Sequence, residues 1–343
     1  MEKQGQNDLQ PSTHQLRFNM RLPRIKAAPE QTGVYHCVSR IVGGQFLLDD
    51  TCRRYLKALI ERLSPFCGVQ PITYGILDNH FHLLIRIQPR GPLSDLELIR
   101  RLENFYGSGS APCILVREYL EKGRSVPEDI KNGFLKRFGD VSVFMKELKQ
   151  RFSRWYNHRM KREGTLWSAR FKSAMIEDNS QVLRTVAAYI DLNAVRAGIV
   201  KDPKDYRDCG YSAAVAGDEV YRQGIRSVVG QEKSWDEAAA EYRMMIFSHG
   251  FNSGGSDKVT LDRQAVAQIM KKGGKLRLQE VMLVRIRHMS AGVALGSKEF
   301  VDGVFVRYRD KLGPRRETGA RLIRKVSIPG FYALRDLQKD AIR

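Results

Sequence analysis

Two histidines one residue apart, His80 and His82, lie inside the apolar run ILDNHFHLLIRIQ at residues 76–88. In a strand, side chains at i and i+2 project to one face, so both imidazoles point one way while Phe81 and Leu83 point the other. Two neutral imidazoles side by side are a pair of transition-metal ligands; the plainer alternative is two hydrogen-bonded histidines at a strand edge. A pair does not complete a site. The segment AAYIDLNAVRAG, residues 187–198, offers further groups. On a helix, Tyr189, Asn193 and Arg196 stand at i, i+4 and i+7 and bring a phenol, an amide oxygen and a guanidinium to one face. Their plain alternative is two boundary residues and a solvated surface charge. A phenol with an ordinary pKa of about 10 is a weak nucleophile at neutral pH, and needs a nearby cation or a polarised electrophile. A divalent ion held by His80, His82 and Asn193 would polarise a phosphate oxygen and orient a phosphodiester for attack by Tyr189.

The elements that must position these groups follow from periodicity. GVYHCVSRI, residues 33–41, reads as a strand that ends at Gly43 and Gly44. The next stretch repeats apolar residues at Tyr55, Leu56, Leu59, Ile60 and Leu63, a helical period, with Asp49 or Asp50 as cap and Gly68 as stop. Two strands joined at Asp78 and Asn79 come next, giving the order β, α, β, β. Residues 107–140 carry Gly107, Gly109, Pro112, Pro127 and Gly133 and read as a loop-rich insertion with some helix. A longer helix, a strand-like TLWSARFKSAMIE and the helix bearing Tyr189 complete the unit, with Glu177 and Asp178 expected to cap that last helix. The organisation expected is a flexible tail over 1–25 and a catalytic domain over 26–215. A connecting segment and linker follow over 216–257, then a basic, mostly helical C-terminal region over 258–343.

Charge sets the class of partner. Against 38 Asp+Glu the chain carries 58 Lys+Arg, a formal charge of +20, which makes a polyanion the default partner. Residues 254–343 alone hold 20 Lys+Arg and 9 Asp+Glu and so supply +11 of it. No run of about 18 apolar residues indicates a membrane span. The polar N-terminus lacks a signal-peptide core, so a cytoplasmic location is expected. The five cysteines are scattered without paired spacing and read as buried reduced thiols. Residues 151–172 interleave seven Lys+Arg with Trp155, Tyr156, Trp167 and Phe171, a composition suited to a single strand, with cations on phosphates and rings on bases. Arg159, Lys161, Arg162, Arg170 and Lys172 are the expected phosphate contacts there, and the aromatics are equally candidates for the core. His36 and Arg40 on the first strand are expected to line the cleft.

The ordered series YHCVSR, NHFHLLI, GTLWSARFKS, AAYIDLNAVRAGIV and DYRDCGYSA resembles the HUH single-tyrosine transposases of the insertion-sequence-200-like family, and within it the REP-associated tyrosine transposases. The resemblance covers roughly residues 20–215. It implies an α+β fold, a ferredoxin-like antiparallel sheet with helices packed on one face. It further implies His80 and His82 as metal ligands, Asn193 completing a Mg²⁺ or Mn²⁺ site, and Tyr189 as the nucleophile. The implied reaction is cleavage of single-stranded or hairpin DNA through a 5′-phosphotyrosine, followed by strand transfer; the DNA contacts expected from the chain's own charge and positions are Arg40, Arg159, Lys161, Arg162, Arg170, Lys172 and Arg196. Relatives often have Pro after the Asn, where this chain has Ala194. The alternative from another class is a non-catalytic nucleic-acid binder with an RNA-recognition-like sheet. Monomer and homodimer stay equally open.

Overall fold

The computed structural model describes residues 24–89, 91–247, 289, 293–312, 317–322 and 331–334. Almost all of the tail expected over 1–25, and residues 248–257 of the expected linker, lie outside the described residues. The fold is α+β, built on a seven-stranded sheet in the order β2-β3-β1-β4-β5-β7-β6. Strands β1 (Gly33–Arg40), β2 (Val69–Leu77), β3 (His80–Ile87) and β4 (Lys172–Ile176) pair antiparallel. The β, α, β, β order is as the periodicity predicts. Helix α1 (Asp50–Cys67) starts where the Asp49 carboxylate accepts from the Cys52 amide. It ends at Gly68, whose φ of +65° is the left-handed conformation that suits glycine. Leu56, Leu59, Ile60 and Leu63 are its buried stripe.

Alternation along β3 divides the sheet into two faces. Phe81, Leu83 and Ile85 are fully buried on one. There Phe81 meets Trp167 edge-on at 5.6 Å, and Trp167 in turn packs on Phe152 of α5 (Val141–Arg159) at 5.7 Å. The other face carries His80 and His82 and receives α6 (Ser180–Asp191). Gly75 pairs with His82 in the ladder, and a Cβ built there would stand 3.2 Å from the Ile190 carbonyl. The missing side chain lets the helix that bears Tyr189 lie close on β2. A buried carboxylate fixes that approach: Asp191 accepts from Thr73 Oγ1 at 2.7 Å, from the Tyr211 amide at 3.2 Å and from the Tyr242 hydroxyl at 2.5 Å.

The loop-rich stretch expected over 107–140 holds two helices, α3 (Ala111–Glu121) and α4 (Glu128–Leu135), after α2 (Asp95–Tyr106). The helix expected to run on through Arg196 is interrupted at Leu192, beyond which α7 (Asn193–Arg196) forms a separate turn. Helices α8 (Gly210–Val215), α9 (Glu219–Val229) and α10 (Trp235–Phe247) follow.

The basic C-terminal region, expected to be mostly helical, sends three short strands into the same sheet. Strand β5 (Ala294–Gly296) runs parallel to β4, and β7 (Tyr332–Ala333) and β6 (Arg321–Leu322) extend it. Helix α11 (Lys298–Arg307) lies between them in sequence. Here the reading of Glu177 and Asp178 as caps of α6 is corrected. The Glu177 carboxylate accepts from the amide and hydroxyl of Ser297 at 2.7 and 2.8 Å, tying β4 to the start of α11. Asp178 receives the Arg86 guanidinium at 2.8 and 3.0 Å, and Arg86 is buried and needs a counter-ion. The cap falls to Asn179, whose Oδ1 accepts from the Gln181 amide. All five cysteines are free and buried, as their scatter suggests. Among the described residues no helix is long and apolar enough to cross a membrane.

Candidate active site

The structure brings Tyr189 to the histidines from more than a hundred residues away. The Tyr189 ring stands edge-on to both His82 and His36, with centroids 6.3 Å apart in each case, and His80 and His82 are 5.1 Å apart. The Arg196 guanidinium lies over the Tyr189 ring at 4.0 Å, and its Nη2 donates to Asn193 Oδ1 at 3.0 Å. Tyr189 is only 2% exposed beneath this cover. The predicted trio of phenol, amide and guanidinium is therefore assembled despite the break at Leu192.

Hydrogen bonds assign the proton positions on both histidines. His36 Nδ1 lies 2.5 Å from the Met289 carbonyl, which can only accept, so the proton of a neutral His36 sits on Nδ1. His36 is fully buried, which pushes its pKa down to about 4 and keeps it neutral at physiological pH. Its Nε2 is then an acceptor and lies 2.8 Å from His82 Nδ1, which must donate. A neutral His82 thus carries its lone pair on Nε2. At His80 a side chain replaces His36 in the same logic. Asn79 Nδ2 donates to the Gly44 carbonyl at 3.1 Å, which orients the amide and leaves Oδ1 2.6 Å from His80 Nδ1. His80 donates there and also keeps its lone pair on Nε2. Two backbone carbonyls, acting through His36 and Asn79, put both histidines in the Nδ1-protonated form that binds a metal through Nε2.

The two imidazole nitrogens suit a divalent ion. His80 and His82 supply two nitrogens, while among the described residues no cluster of three His, Cys, Asp or Glu side chains forms a metal site. A third described ligand would have to be a group other than His, Cys, Asp or Glu, such as an amide oxygen. Asn193 is the sequence candidate; its Oδ1 faces Arg196, and its Nδ2 is buried with no hydrogen-bond partner among the described residues.

The expected DNA contacts do not form one surface. Arg196 belongs to the Tyr189 cluster. Arg159 is turned to α1, with Nη2 and Nη1 donating to the Asp49 carboxylate at 2.9 and 3.2 Å, which holds Asp49 down to about 2. Arg162 lies over the Tyr156 ring at 5.8 Å, and Lys161 is exposed with a left-handed φ of +47° just past α5. Arg170 and Lys172 are exposed, and the Arg40 carbonyl accepts from the Ser168 amide at 3.0 Å. The interleaved aromatics are packed inward. Trp155 stacks on Tyr55 at 4.0 Å, Tyr156 is buried, Trp167 lies on Phe81, and Arg24 covers Phe171 at 3.5 Å.

Two functional candidates escaped the sequence reading. Asn79 read only as a turn residue, although an amide beside a histidine pair was the available signal. Asp191 was passed over, although a lone acid in the apolar stretch AAYIDL marks a buried carboxylate that needs donors. Burial pushes it up to about 6, against the pull of its three donors.

No family model matches the chain, and no curated protein matches it. One solved structure, a REP-associated tyrosine transposase bound to a REP hairpin, is similar over 57% of this chain and 84% of that chain, at 17% identity and a TM-score of 0.36. A likeness at that score is too remote to place residues.

Proposed function

We propose that this protein cleaves and rejoins single-stranded DNA, including strands that fold into hairpins, with Tyr189 as nucleophile and a Mg²⁺ or Mn²⁺ ion held by His80 and His82. The observation that carries the reading is the contact of Tyr189 with His82, together with the proton positions that give both histidines Nε2 lone pairs. A metal-binding pair beside a tyrosine capped by arginine is an arrangement for phosphoryl transfer. A merely structural histidine pair has no need of it.

The ion, when bound, would act as a Lewis acid on a non-bridging phosphate oxygen. The protein's own groups do the rest. Arg196 draws the phosphate toward Tyr189 and, in leaving the ring for the phosphate, uncovers the phenol and releases Asn193 Oδ1. The Tyr189 oxygen forms a bond to phosphorus as its proton departs. The bond from phosphorus to the 3′ oxygen breaks, and that oxygen takes up a proton as a free 3′-OH. A second 3′-OH attacks the phosphotyrosine and returns the phenol, so the number of phosphodiester bonds is unchanged and no nucleotide cofactor is required. Asp191 has no part in the chemistry. It anchors α6 so that the phenol meets the histidines.

The test is a covalent adduct. A labelled single-stranded hairpin oligonucleotide is incubated with protein and Mn²⁺ or Mg²⁺, then separated under denaturing conditions. Wild type is expected to retain the label, and Tyr189→Phe and chelated samples to lose it. A Tyr189→Phe variant that retains as much label removes the nucleophile from the proposal. A wild type that binds the hairpin tightly without an adduct favours the non-catalytic binder.

A further inference from the structure

We propose that the groove between α5 and the segment 164–171 binds a nucleic-acid strand by its phosphates, on the sheet face opposite Tyr189. The groove has a volume of about 980 Å³. One wall is a single stripe of α5, running from Ser142 through Met145 and Lys149 to Arg154 at helical spacing. From residue 142 to residue 154 the helix rises twelve steps, or roughly 18 Å at about 1.5 Å per step. Its floor is Trp167, which packs on Phe81, the neighbour of His80 and His82 that points the other way. A strand in the groove therefore lies across the sheet from the histidines.

Five cations line it, Arg24, Lys146, Lys149, Arg154 and Arg170, with no acidic residue among the described lining residues. Some cations elsewhere in the fold are neutralised, as where Arg53 meets Asp50, Asp78 and Asp208, or Lys57 meets Glu61 and Asp218. In the groove they are not. Arg24 donates to the hydroxyls of Ser173 and Ser142 and to the Phe171 carbonyl, and Lys149 to the Ala169 carbonyl; every acceptor is neutral. Lys146, Arg154 and Arg170 are exposed and form no ion pair among the described residues. Burial, with Arg24 nearby, pushes Lys149 down to about 8, the sign of a cation held without its counter-ion.

The shape selects among anions. A compact cluster would suit one phosphate, whereas a row of roughly 18 Å matches several phosphates of a strand that repeats every ~3.4 Å in duplex form. Stacking surfaces are scarce, because Arg24 covers Phe171 and Trp167 is turned to Phe81. Contact is thus to the backbone, and sequence preference from this face is expected to be slight. The inference uses neither the histidines nor Tyr189. It can fail while the cleavage chemistry stands, and the reverse.

The experiment measures fluorescence anisotropy of a labelled single-stranded DNA and an RNA of the same sequence against the full-length protein, in chelator, over a range of salt. Lys146→Gln with Arg154→Gln removes two exposed cations from the groove, and Lys136→Gln with Lys204→Gln removes two exposed cations from elsewhere. The groove variant is expected to lower the slope of log K against log salt by about 1.4, with roughly 10- to 30-fold weaker binding near 0.1 M salt, since a single strand loses ~0.7 per phosphate contact. The arm in which the slope falls names the strand. A groove variant indistinguishable from the control pair in both arms overturns the proposal. A second readout is acylation of wild-type lysines. Protection of Lys146 by the oligonucleotide supports the groove, and modification of Lys146 as rapid as that of Lys204 counts against it.

Discussion

The two faces of the sheet treat polar side chains in opposite ways. On the histidine face each group is fixed by the next: Met289 sets His36, His36 sets His82, Gly44 sets Asn79, Asn79 sets His80, and Arg196 holds both Asn193 and Tyr189. On the other face, cations line a groove over an aromatic floor, and their hydrogen bonds, where present, go to neutral acceptors. The proposed chemistry, one oxygen aimed at one phosphorus, would gain from such a chain, because small displacements cost large factors in rate. A surface that must hold a repeating backbone needs charge in a row and little else.

Removing a link from the histidine face gives the largest expected effects. His36→Phe keeps the volume and abolishes the bond to His82, and is expected to weaken Mn²⁺ binding by titration calorimetry about 10- to 100-fold, in the range for lost outer partners of a metal ligand. An unchanged affinity would remove His36 from the chain. Asn79→Ala leaves His80 without its oriented acceptor and is expected to cost roughly tenfold in the same measurement. Neither change should alter oligonucleotide binding measured in chelator, and a parallel loss there would dissolve the distinction between the faces.

On the groove side the expected effects are smaller and appear as stability. Asp49→Ala removes the cap of α1 and the partner of Arg159, and should cost about 1 kcal/mol at pH 7. Because Asp49 is held down to about 2 in the folded state, its contribution is present above its ordinary carboxylate range and lost as pH falls toward about 2. The denaturation midpoints of variant and wild type should therefore converge in acid. Lys149→Met has the opposite sign. Its folded pKa is lowered to about 8, so the charged lysine opposes folding at neutral pH and that opposition fades as pH rises above about 8. The variant is expected to have a modestly raised midpoint at pH 7 and no advantage near pH 10. A lowered midpoint at pH 7 would mean that the Ala169 bond outweighs the charge.

What was legible in the sequence was local. Alternation placed the histidines and Phe81 on opposite faces, helical spacing gathered Tyr189, Asn193 and Arg196, and Gly68 stopped α1. What was not legible depended on distant partners or on backbone atoms. The carbonyls of Met289 and Gly44 have no signature, and Met289 lies 253 residues from the ring it fixes. Glu177 and Asp178 stood where a cap could stand, yet their carboxylates are taken up by Ser297 and by the buried Arg86, partners distant in sequence. Composition near 151–172 could not separate aromatics that stack on bases from aromatics that fill a core. Strands of two and three residues are too short to show alternation, so the sheet's extension past β4 left no pattern to read.

That extension bears on how the margins of the sheet are finished. Without β5, strand β4 would end the sheet with an open row of amides and carbonyls, a template for another chain. Adding β5, β7 and β6 moves the described border to Arg321–Leu322, a stretch of two residues with exposed side chains. The opposite border, β2, carries Pro71 beside a register shift, and its Gly75 is bridged by Cys209. Neither margin, among the described residues, offers a long straight ladder, so the sheet presents little template for pairing with another edge.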